Sequence, residues 1–176
     1  MGDQELLIML QNQKTSESGF RILVQTYRAN LYTLIFRMTQ NHDDTDDILQ
    51  NTFIKVFRNI NLFEAKSSLK TWMYRIATNE TLNFLKTKKN HDSLDHLPAD
   101  MSKQRDGIMD ADELVKVLAD AVESLPEKQR LVFLMRYYEE IGYDEMALIT
   151  ETSAGALKAS YHHAVKKIEN FITSKV

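Results

Sequence analysis

The sequence contains no cysteine, which excludes a disulfide framework and any zinc site built on thiolates. Only two prolines and five glycines occur in 176 residues, so few residues would interrupt a helix. No segment approaches the roughly 20 apolar residues that span a bilayer. The N-terminal stretch carries Asp3 and Glu5 instead of the basic residues of an export signal. These absences predict a soluble, cytoplasmic protein without membrane insertion.

Apolar residues recur at three- and four-residue spacing through most of the chain, which predicts an all-α protein. Four such patterns precede residue 90: a short one at Leu6, a long one from Phe20 that ends at Asn41, a third capped by Asp43 or Asp44, and a fourth from Ser68 to about Lys88. The third is expected to bury Ile48, Leu49, Phe53, Val56, Phe57 and Ile60, and the fourth Leu69, Trp72, Met73, Ile76 and Ala77.

Residues 91–109 lack helical periodicity and combine Pro98 and Gly107 with several acidic side chains, which is typical of a linker. We therefore predict two helical domains, residues 1–90 and residues 110–176, joined by an acidic flexible linker at 91–109. The net charge of −3 is unevenly distributed along this arrangement. Basic residues dominate residues 63–90 and the chain from Ser153 onward, and acidic residues dominate between them. This pattern suits two nucleic-acid contacts held apart by a segment that avoids phosphate.

The last fifty residues predict a helix-turn-helix. Leu125-Pro126-Glu127 opens one helix, and two further helical patterns meet at a turn near Ser153, which can cap the second of them. The apolar stripe of that helix leaves its histidines and lysines outside, so the helix can enter a major groove. The alternative to a DNA-binding motif is that this segment forms a plain three-helix bundle whose lysine face is only solvated. The stripe comprises Leu157, Tyr161, Ala164, Val165, Ile168, Phe171 and Ile172.

Two helix faces in the first domain have the composition of binding surfaces. Asp47, Gln50, Asn51 and Ile54 fall together opposite the apolar stripe of the third helix, and a polar patch with one branched apolar residue is typical of protein docking. The fourth helix mixes hydroxyls, amides, an aromatic ring and positive charge, a combination that can hold single-stranded nucleic acid. Those residues are Thr71, Tyr74, Arg75, Thr78, Asn79, Asn83 and Lys86.

Long segments of the chain resemble a known family. Residues 44–53, which read DTDDILQNTF, and residues 63–79, which include the run TWMYRIATN, resemble region 2 of bacterial RNA polymerase sigma factors of the extracytoplasmic-function group. The segment from Leu125 resembles region 4 of the same factors. The two resemblances occur in the expected order and together cover most of the chain.

The resemblance implies a two-domain initiation factor that binds core RNA polymerase, recognises a promoter and helps to melt it, with no catalytic residue, cofactor or metal. The third-helix face Asp47, Gln50, Asn51 and Ile54 would dock on the clamp coiled coil of the largest polymerase subunit. The single-stranded −10 element would contact Lys66, Ser67, Lys70, Thr71, Tyr74, Arg75, Asn79, Asn83 and Lys86, with a pocket for a flipped base before Ser68. The −35 element would contact Ser153, Ala154, Gly155, Ala156, Lys158, Ala159, His162, His163 and Lys166. An anti-sigma factor is the further partner that the resemblance implies.

Four positions depart from the family pattern. Gly142 stands where the family often has Ser or Thr, Glu151 stands where it has a glycine in the turn, and Ser160 and His163 stand where it has arginines. The last two remove permanent positive charge from the recognition helix. Two other functions remain open from the residues: a stand-alone helix-turn-helix regulator that binds duplex DNA, and a metal-dependent nuclease that uses the acidic run at residues 43–47.

Overall fold

The computed structural model describes residues 2–92 and 111–175, and within these ranges the chain forms helices and no strand. The all-α prediction is therefore confirmed. The helices are α1 (Asp3–Gln11), α2 (Ser16–Thr39), α3 (His42–Asn59), a short 3₁₀ helix (Ile60–Leu62), α4 (Leu69–Asp92), α5 (Ala111–Glu123), α6 (Glu127–Tyr137), α7 (Tyr143–Thr150) and α8 (Ala154–Thr173).

The chain divides into two compact units, and the first boundary between them falls in α4 after Leu85. The first unit holds α1 to α3 and most of α4, and the second holds most of α5 to α8. The first two residues of the predicted linker, His91 and Asp92, are the last of α4. The rest of that prediction, residues 93–109, lies outside the described residues.

The N-terminal unit is organised around α2, which packs against both α1 and α3. Gly19 allows α1 to approach closely, since a Cβ atom on it would lie 3.0 Å from the Met9 Cβ atom. The apolar stripes predicted for α2 and α3 form the core, because burying them removes their surface from water. Core residues on these two helices are Leu23, Leu31, Leu34, Ile35, Met38, Ile48, Leu49, Phe53 and Val56.

Two details predicted for α3 are wrong. Its N-cap is Asn41, whose Oδ1 atom accepts a hydrogen bond of 2.9 Å from the Asp44 backbone amide, so neither Asp43 nor Asp44 caps the helix. The Asp44 carboxylate lies instead in the first turn, where its negative charge interacts favourably with the positive end of the helix dipole. Phe57, which the apolar pattern predicted to be buried, is 52% exposed, although its ring contacts Phe20 at 5.1 Å between centroids.

The C-terminal unit is organised around α6 and α8, which pack on each other, and α5 also packs on α8. Five consecutive residues of α6, Leu131–Met135, are buried, so this helix contacts neighbours on nearly every side. α7 and α8 form the predicted helix-turn-helix, with Glu151 in the turn at a φ of 55°. Ser153 caps α8 as predicted, because its Oγ atom accepts a 3.2 Å hydrogen bond from the Ala156 amide.

Candidate nucleic-acid interface

The outer face of α3 is exposed at each position where the sequence predicted a docking surface. Asp47, Gln50 and Asn51 are exposed, and Ile54 is 40% exposed despite its apolar side chain. Ile48 and Leu49 lie on the opposite side of the same helical turn and are buried. Their burial in the core therefore fixes the direction in which the polar side chains point. The arrangement offers carboxylate, amide and apolar groups together to a partner.

A surface groove of about 280 Å³ lies beside this docking face, between α2 and α3. Asp47 and Gln50 line it from α3, and Val24 and Arg28 line it from α2. The predicted docking surface did not include Arg28, because that surface was inferred from the periodicity of one helix. The spacing of Val24 and Arg28 shows that they share a face of α2, but not that this face meets α3.

The exposed side of α4 carries four of the nine residues predicted to bind single-stranded DNA. Asn79, Asn83 and Lys86 are exposed and Arg75 is half-buried. Trp72 lies on the same side and is also half-buried, with its ring 5.0 Å from that of Phe63. The helical repeat places these five α4 residues within about a quarter of a turn of one another. An aromatic ring, two amides and two cations therefore lie along one continuous surface.

Two members of the predicted −10 set are buried in this structure. Tyr74 has no exposed surface and Thr71 is 3% exposed, so neither side chain can reach a DNA base in this conformation. The buried side of α4 is centred between Leu69 and Tyr74, about 140° apart around the helix, and not on the stripe through Trp72 and Ile76. Its threonines are tolerated because their hydroxyls bond locally, as where the Thr81 Oγ1 atom donates to the Ala77 carbonyl at 2.7 Å.

The segment before α4 has a defined local structure. Lys66 is exposed and pairs with Glu64, while Ala65 between them has a φ of 53°. Lys70 is half-buried, with its ammonium 5.4 Å from the centroid of the Tyr74 ring. Ser67 is also half-buried and its hydroxyl donates to the Ser68 carbonyl at 3.3 Å.

The N-terminus of α4 is held by hydrogen bonds to its own residues and to a residue of α1. The Ser68 Oγ atom accepts a 3.0 Å hydrogen bond from the Thr71 amide, and the two hydroxyls lie 2.8 Å apart. The Asp3 carboxylate of α1 accepts a second hydrogen bond, 3.1 Å long, from the Leu69 amide. Asp3 also accepts from the Tyr27 hydroxyl, and burial together with this carboxylate raises the Tyr27 pKa.

The predicted −35 residues lie along the surface of α8. Its lysines and histidines are directed to solvent, and the rings of His162 and His163 have centroids 6.1 Å apart. Gly155 has open space where a Cβ atom would be, so the first turn presents bare backbone. Exposed members of the set are Ser153, Gly155, Ala156, Lys158, Ala159, His162, His163 and Lys166, whereas Ala154 is partly buried.

An aromatic cluster supports α8 from beneath. Tyr161 stacks on the buried Phe133 ring at 5.8 Å, and Tyr143 meets Tyr161 edge to face at 6.5 Å. Burial raises the pKa of the Tyr161 hydroxyl; Tyr143 raises it further, while Arg136 lowers it. Tyr161 therefore stays neutral at physiological pH and acts as a packing residue. The predicted apolar stripe of α8 is confirmed at Leu157, Ala164 and Ile168, which are buried.

The described residues offer little that suggests other chemistry. In residues 2–92 and 111–175, no group of three His, Asp or Glu side chains is arranged to hold a metal ion. No helix in the same part of the chain is long and apolar enough to cross a bilayer. The acidic run at residues 43–47 follows one helix, so its carboxylates diverge around the axis.

Two helical units with exposed polar and basic helix faces are typical of nucleic-acid-binding proteins, and comparisons with known families specify the class of this chain. Residues 23–91 match the Sigma-70 region 2 family, and residues 116–168 match the Sigma-70 region 4 family. The chain is 31% identical over 164 residues to the ECF RNA polymerase sigma factor SigW of Bacillus subtilis, covering 86% of this chain and 88% of SigW. It is 28% identical to the ECF RNA polymerase sigma-E factor of Haemophilus influenzae, covering 91% and 90% of the two chains.

The chain therefore belongs to the extracytoplasmic-function (ECF) group of RNA polymerase sigma factors, which direct transcription initiation. Solved structures agree at the level of the fold. The structure of CnrH in complex with the cytosolic domain of CnrY matches with a TM-score of 0.72 at 18% identity, covering 99% of both chains. RpoE in complex with the anti-sigma factor NepR, from Bartonella quintana, matches with a TM-score of 0.68 at 18% identity, covering 88% of this chain and 96% of that one.

Proposed function

We propose that this sigma factor divides its work between the two domains predicted from the sequence. Residues 1–90 bind core RNA polymerase and the −10 element, residues 110–176 bind the −35 element, and residues 91–109 connect them. The observation that carries the proposal is the exposure of the predicted faces: the outer side of α3, one side of α4 and the outer side of α8. If these faces were part of the protein core, their side chains would be buried.

Polymerase docking is assigned to Asp47, Gln50, Asn51 and Ile54, with Arg28 added from the neighbouring groove. An exposed isoleucine among polar groups gives a partner apolar area to bury, and interface energy concentrates in few such residues. The surrounding carboxylates and amides would fix register through hydrogen bonds and complementary charge. The assignment makes this face a protein surface and leaves α4 and α8 to DNA.

Capture of the melted −10 strand is assigned to Lys66, Ser67, Lys70, Arg75, Asn79, Asn83 and Lys86, with Trp72 added. The Trp72 ring offers a stacking surface, the two asparagines can read exposed base edges, and the cations follow the phosphates. Extruding a base costs a few kcal/mol, so a pocket that binds the flipped base holds the duplex open without ATP. Thr71 and Tyr74 are excluded because they are buried.

Recognition of the −35 duplex is assigned to the exposed face of α8. The first turn, with Ser153, Gly155 and Ala156, offers small residues that let the start of the helix approach DNA closely. Lys158 and Lys166 supply permanent charge, whereas His162 and His163 supply it only when protonated.

The remaining assignments follow from the family. We assign no catalytic residue, cofactor or metal, and we place the protein in the cytoplasm, where the polymerase is. An anti-sigma factor is the expected inhibitory partner; this is supported by the solved relative RpoE, whose structure was determined with the anti-sigma factor NepR.

Binding of the labelled protein to bacterial core RNA polymerase, followed by run-off transcription from a pool of promoter fragments of the host, tests the proposal. We expect a stable holoenzyme and new start sites. A folded protein that binds duplex DNA but not core polymerase would instead be a stand-alone regulator. Cleavage of DNA that depends on a divalent ion would identify a nuclease.

Two variants test the docking assignment in the same binding assay. Gln50→Ala and Ile54→Ala should each weaken polymerase binding, by about tenfold if these residues are interface hot spots. The matched control is Ile8→Ala, because Ile8 is an isoleucine on α1 that is 67% exposed and lies off the docking face. Unchanged affinity in both docking variants would overturn the assignment of α3.

A further inference from the structure

Tyr143, the first residue of α7, lies between two cations of the C-terminal domain. The guanidinium carbon of Arg136 is 5.0 Å from the centroid of the Tyr143 ring, and the Lys158 ammonium is 5.7 Å from it. A cation within about 6 Å of an aromatic centroid is attracted by the quadrupole of the ring. Arg136 belongs to the last turn of α6 and Lys158 to α8, so one ring joins three helices.

The ring itself is held in place from below. Tyr161 packs edge to face against Tyr143 at 6.5 Å, and Tyr161 in turn stacks on Phe133, which is 4% exposed. Arg136 has a second anchor, because its Nη1 atom donates a 3.2 Å hydrogen bond to the Ile141 carbonyl. Lys158 is exposed and forms no ion pair with any carboxylate of the described residues. The aromatic ring is therefore what restricts its ammonium.

Restricting the Lys158 ammonium matters most if few other permanent positive charges lie nearby on α8. Between Ser153 and His163, Lys158 is the only lysine or arginine in the sequence. A free lysine side chain loses rotamer entropy when it is fixed. Restricting it before binding reduces the loss that accompanies contact with a phosphate.

We propose that Tyr143 is a positioning residue, whose ring orders Lys158 for contact with a backbone phosphate of the −35 duplex. The inference rests on the proposed role of α8 in binding that duplex. Arg136, anchored to the Ile141 carbonyl, contacts the same ring and helps to hold it in place.

The test is equilibrium binding of the full-length protein to a fluorescent duplex that carries the −35 element of a promoter recovered by run-off transcription, over a series of salt concentrations. Tyr143→Leu removes the ring and should weaken binding about two- to fivefold, the equivalent of an exposed cation–π pair. Tyr143→Phe keeps the ring and should bind as the original protein does. Tyr143→Met is a second variant without a ring, for use if Tyr143→Leu does not fold.

Lys158→Ala separates failure of this inference from failure of the proposed function. It should weaken binding and reduce the salt slope by about one unit. Adding Tyr143→Leu to it should weaken binding no further, because both changes remove one interaction. The control is Tyr32→Leu, which removes a half-buried tyrosine of α2 in the N-terminal unit and should leave binding to the −35 duplex unchanged.

Three outcomes overturn a part of the scheme. If Lys158→Ala changes neither affinity nor salt slope, α8 does not bind the duplex through this residue and the proposed function fails there. If Lys158→Ala weakens binding but Tyr143→Leu does not, the function stands and the positioning role is wrong. If Tyr143→Phe loses as much affinity as Tyr143→Leu, the hydroxyl makes the contact and the ring does not position Lys158.

Discussion

Ala65 shows how a single residue shapes the segment proposed to bind a flipped base. Its φ of 53° lies in the left-handed region, where the Cβ atom of an L-residue approaches the following carbonyl oxygen. Glu151 adopts the same conformation, with a φ of 55°, in the turn before α8. Glycine suits both conformations better, so each residue keeps local strain that the rest of the domain must offset.

Replacing Ala65 with glycine should stabilise the N-terminal domain. Removing the left-handed strain should stabilise the folded state by about 1–2 kcal/mol. Glycine also makes the unfolded chain more flexible, which lowers the free energy of unfolding by about 0.4–1 kcal/mol, so the first effect is the larger. We expect the free energy of unfolding to rise by up to about 1 kcal/mol. Urea unfolding followed by the fluorescence of Trp72, the one tryptophan in the sequence, measures it.

The control for that prediction is the same substitution in an ordinary helix. Ala29 is exposed in the middle of α2, and Ala29→Gly should lower stability by about 1 kcal/mol because glycine is a poor helix former. A loss of stability in Ala65→Gly as large as in Ala29→Gly would contradict the strain at Ala65.

The helices α1 and α2 approach each other closely at Gly19. A Cβ atom there would lie 3.0 Å from the Met9 Cβ atom and 3.1 Å from the Leu10 amide nitrogen. Gly19→Ala should therefore lower the thermal stability, because overpacking costs about 1–3 kcal/mol and helix propensity returns only about 1 kcal/mol. Thermal unfolding followed by circular dichroism measures the change. Gly155→Ala, where the new atom meets nothing within 4 Å, is the control and should not destabilise the fold.

The exposed side of α4 leads to a prediction about the order of steps in initiation. Asn79→Ala and Asn83→Ala should each slow promoter opening by about two- to tenfold, because a hydrogen bond to a base edge contributes about 0.5–1.5 kcal/mol. Binding of the closed duplex should change little, since the −10 bases are still paired. Fluorescence of 2-aminopurine in the −10 element follows opening. Asn30→Ala, at an exposed asparagine on α2, is the control, and an equal effect on both steps would contradict single-strand capture.

Periodicity predicted the helices well and their faces unequally. For α3 the apolar stripe and the polar face lie on opposite sides, so Gln50 and Ile54 could be placed on the surface from spacing alone. For α4 the pattern placed Trp72 and Ile76 in the core and Tyr74 on the surface, whereas Tyr74 is buried and the other two are half-buried. Aromatic side chains and threonines suit either environment, because threonine hydroxyls can bond to the preceding turn.

Contacts between helices explain the other differences. Phe57 continues the stripe of α3 but lies at the end of that helix, where Phe20 covers only part of its ring. The groove that brings Arg28 beside Asp47 and Gln50, and the contact between the Tyr143 ring and Lys158, both depend on which helices become neighbours. A single sequence gives the period of each helix but not these pairings.

At the scale of the whole molecule, the net charge of −3 conceals opposite charges in different parts of the chain. The exposed sides of α4 and α8 carry cations, whereas α5 begins with Asp112 and Glu113. Affinity for DNA depends on the local phosphate contacts, which release counterions, and not on the net charge of the protein. An acidic protein can therefore bind two forms of DNA through two separate basic surfaces.

That separation predicts a different salt response for each form of DNA. Lys166→Ala should reduce the salt slope for the −35 duplex by about 0.9, the value for one phosphate of B-DNA, and leave binding to a single-stranded −10 oligonucleotide unchanged. Lys86→Ala should do the reverse, with a reduction of about 0.7 for the single strand. Lys116→Ala, at an exposed lysine on α5, should change neither slope. Fluorescence anisotropy at several salt concentrations measures the salt slope for each variant. If the α4 variant or the α8 variant reduced the slope for both forms of DNA, the two domains would not divide the promoter between them.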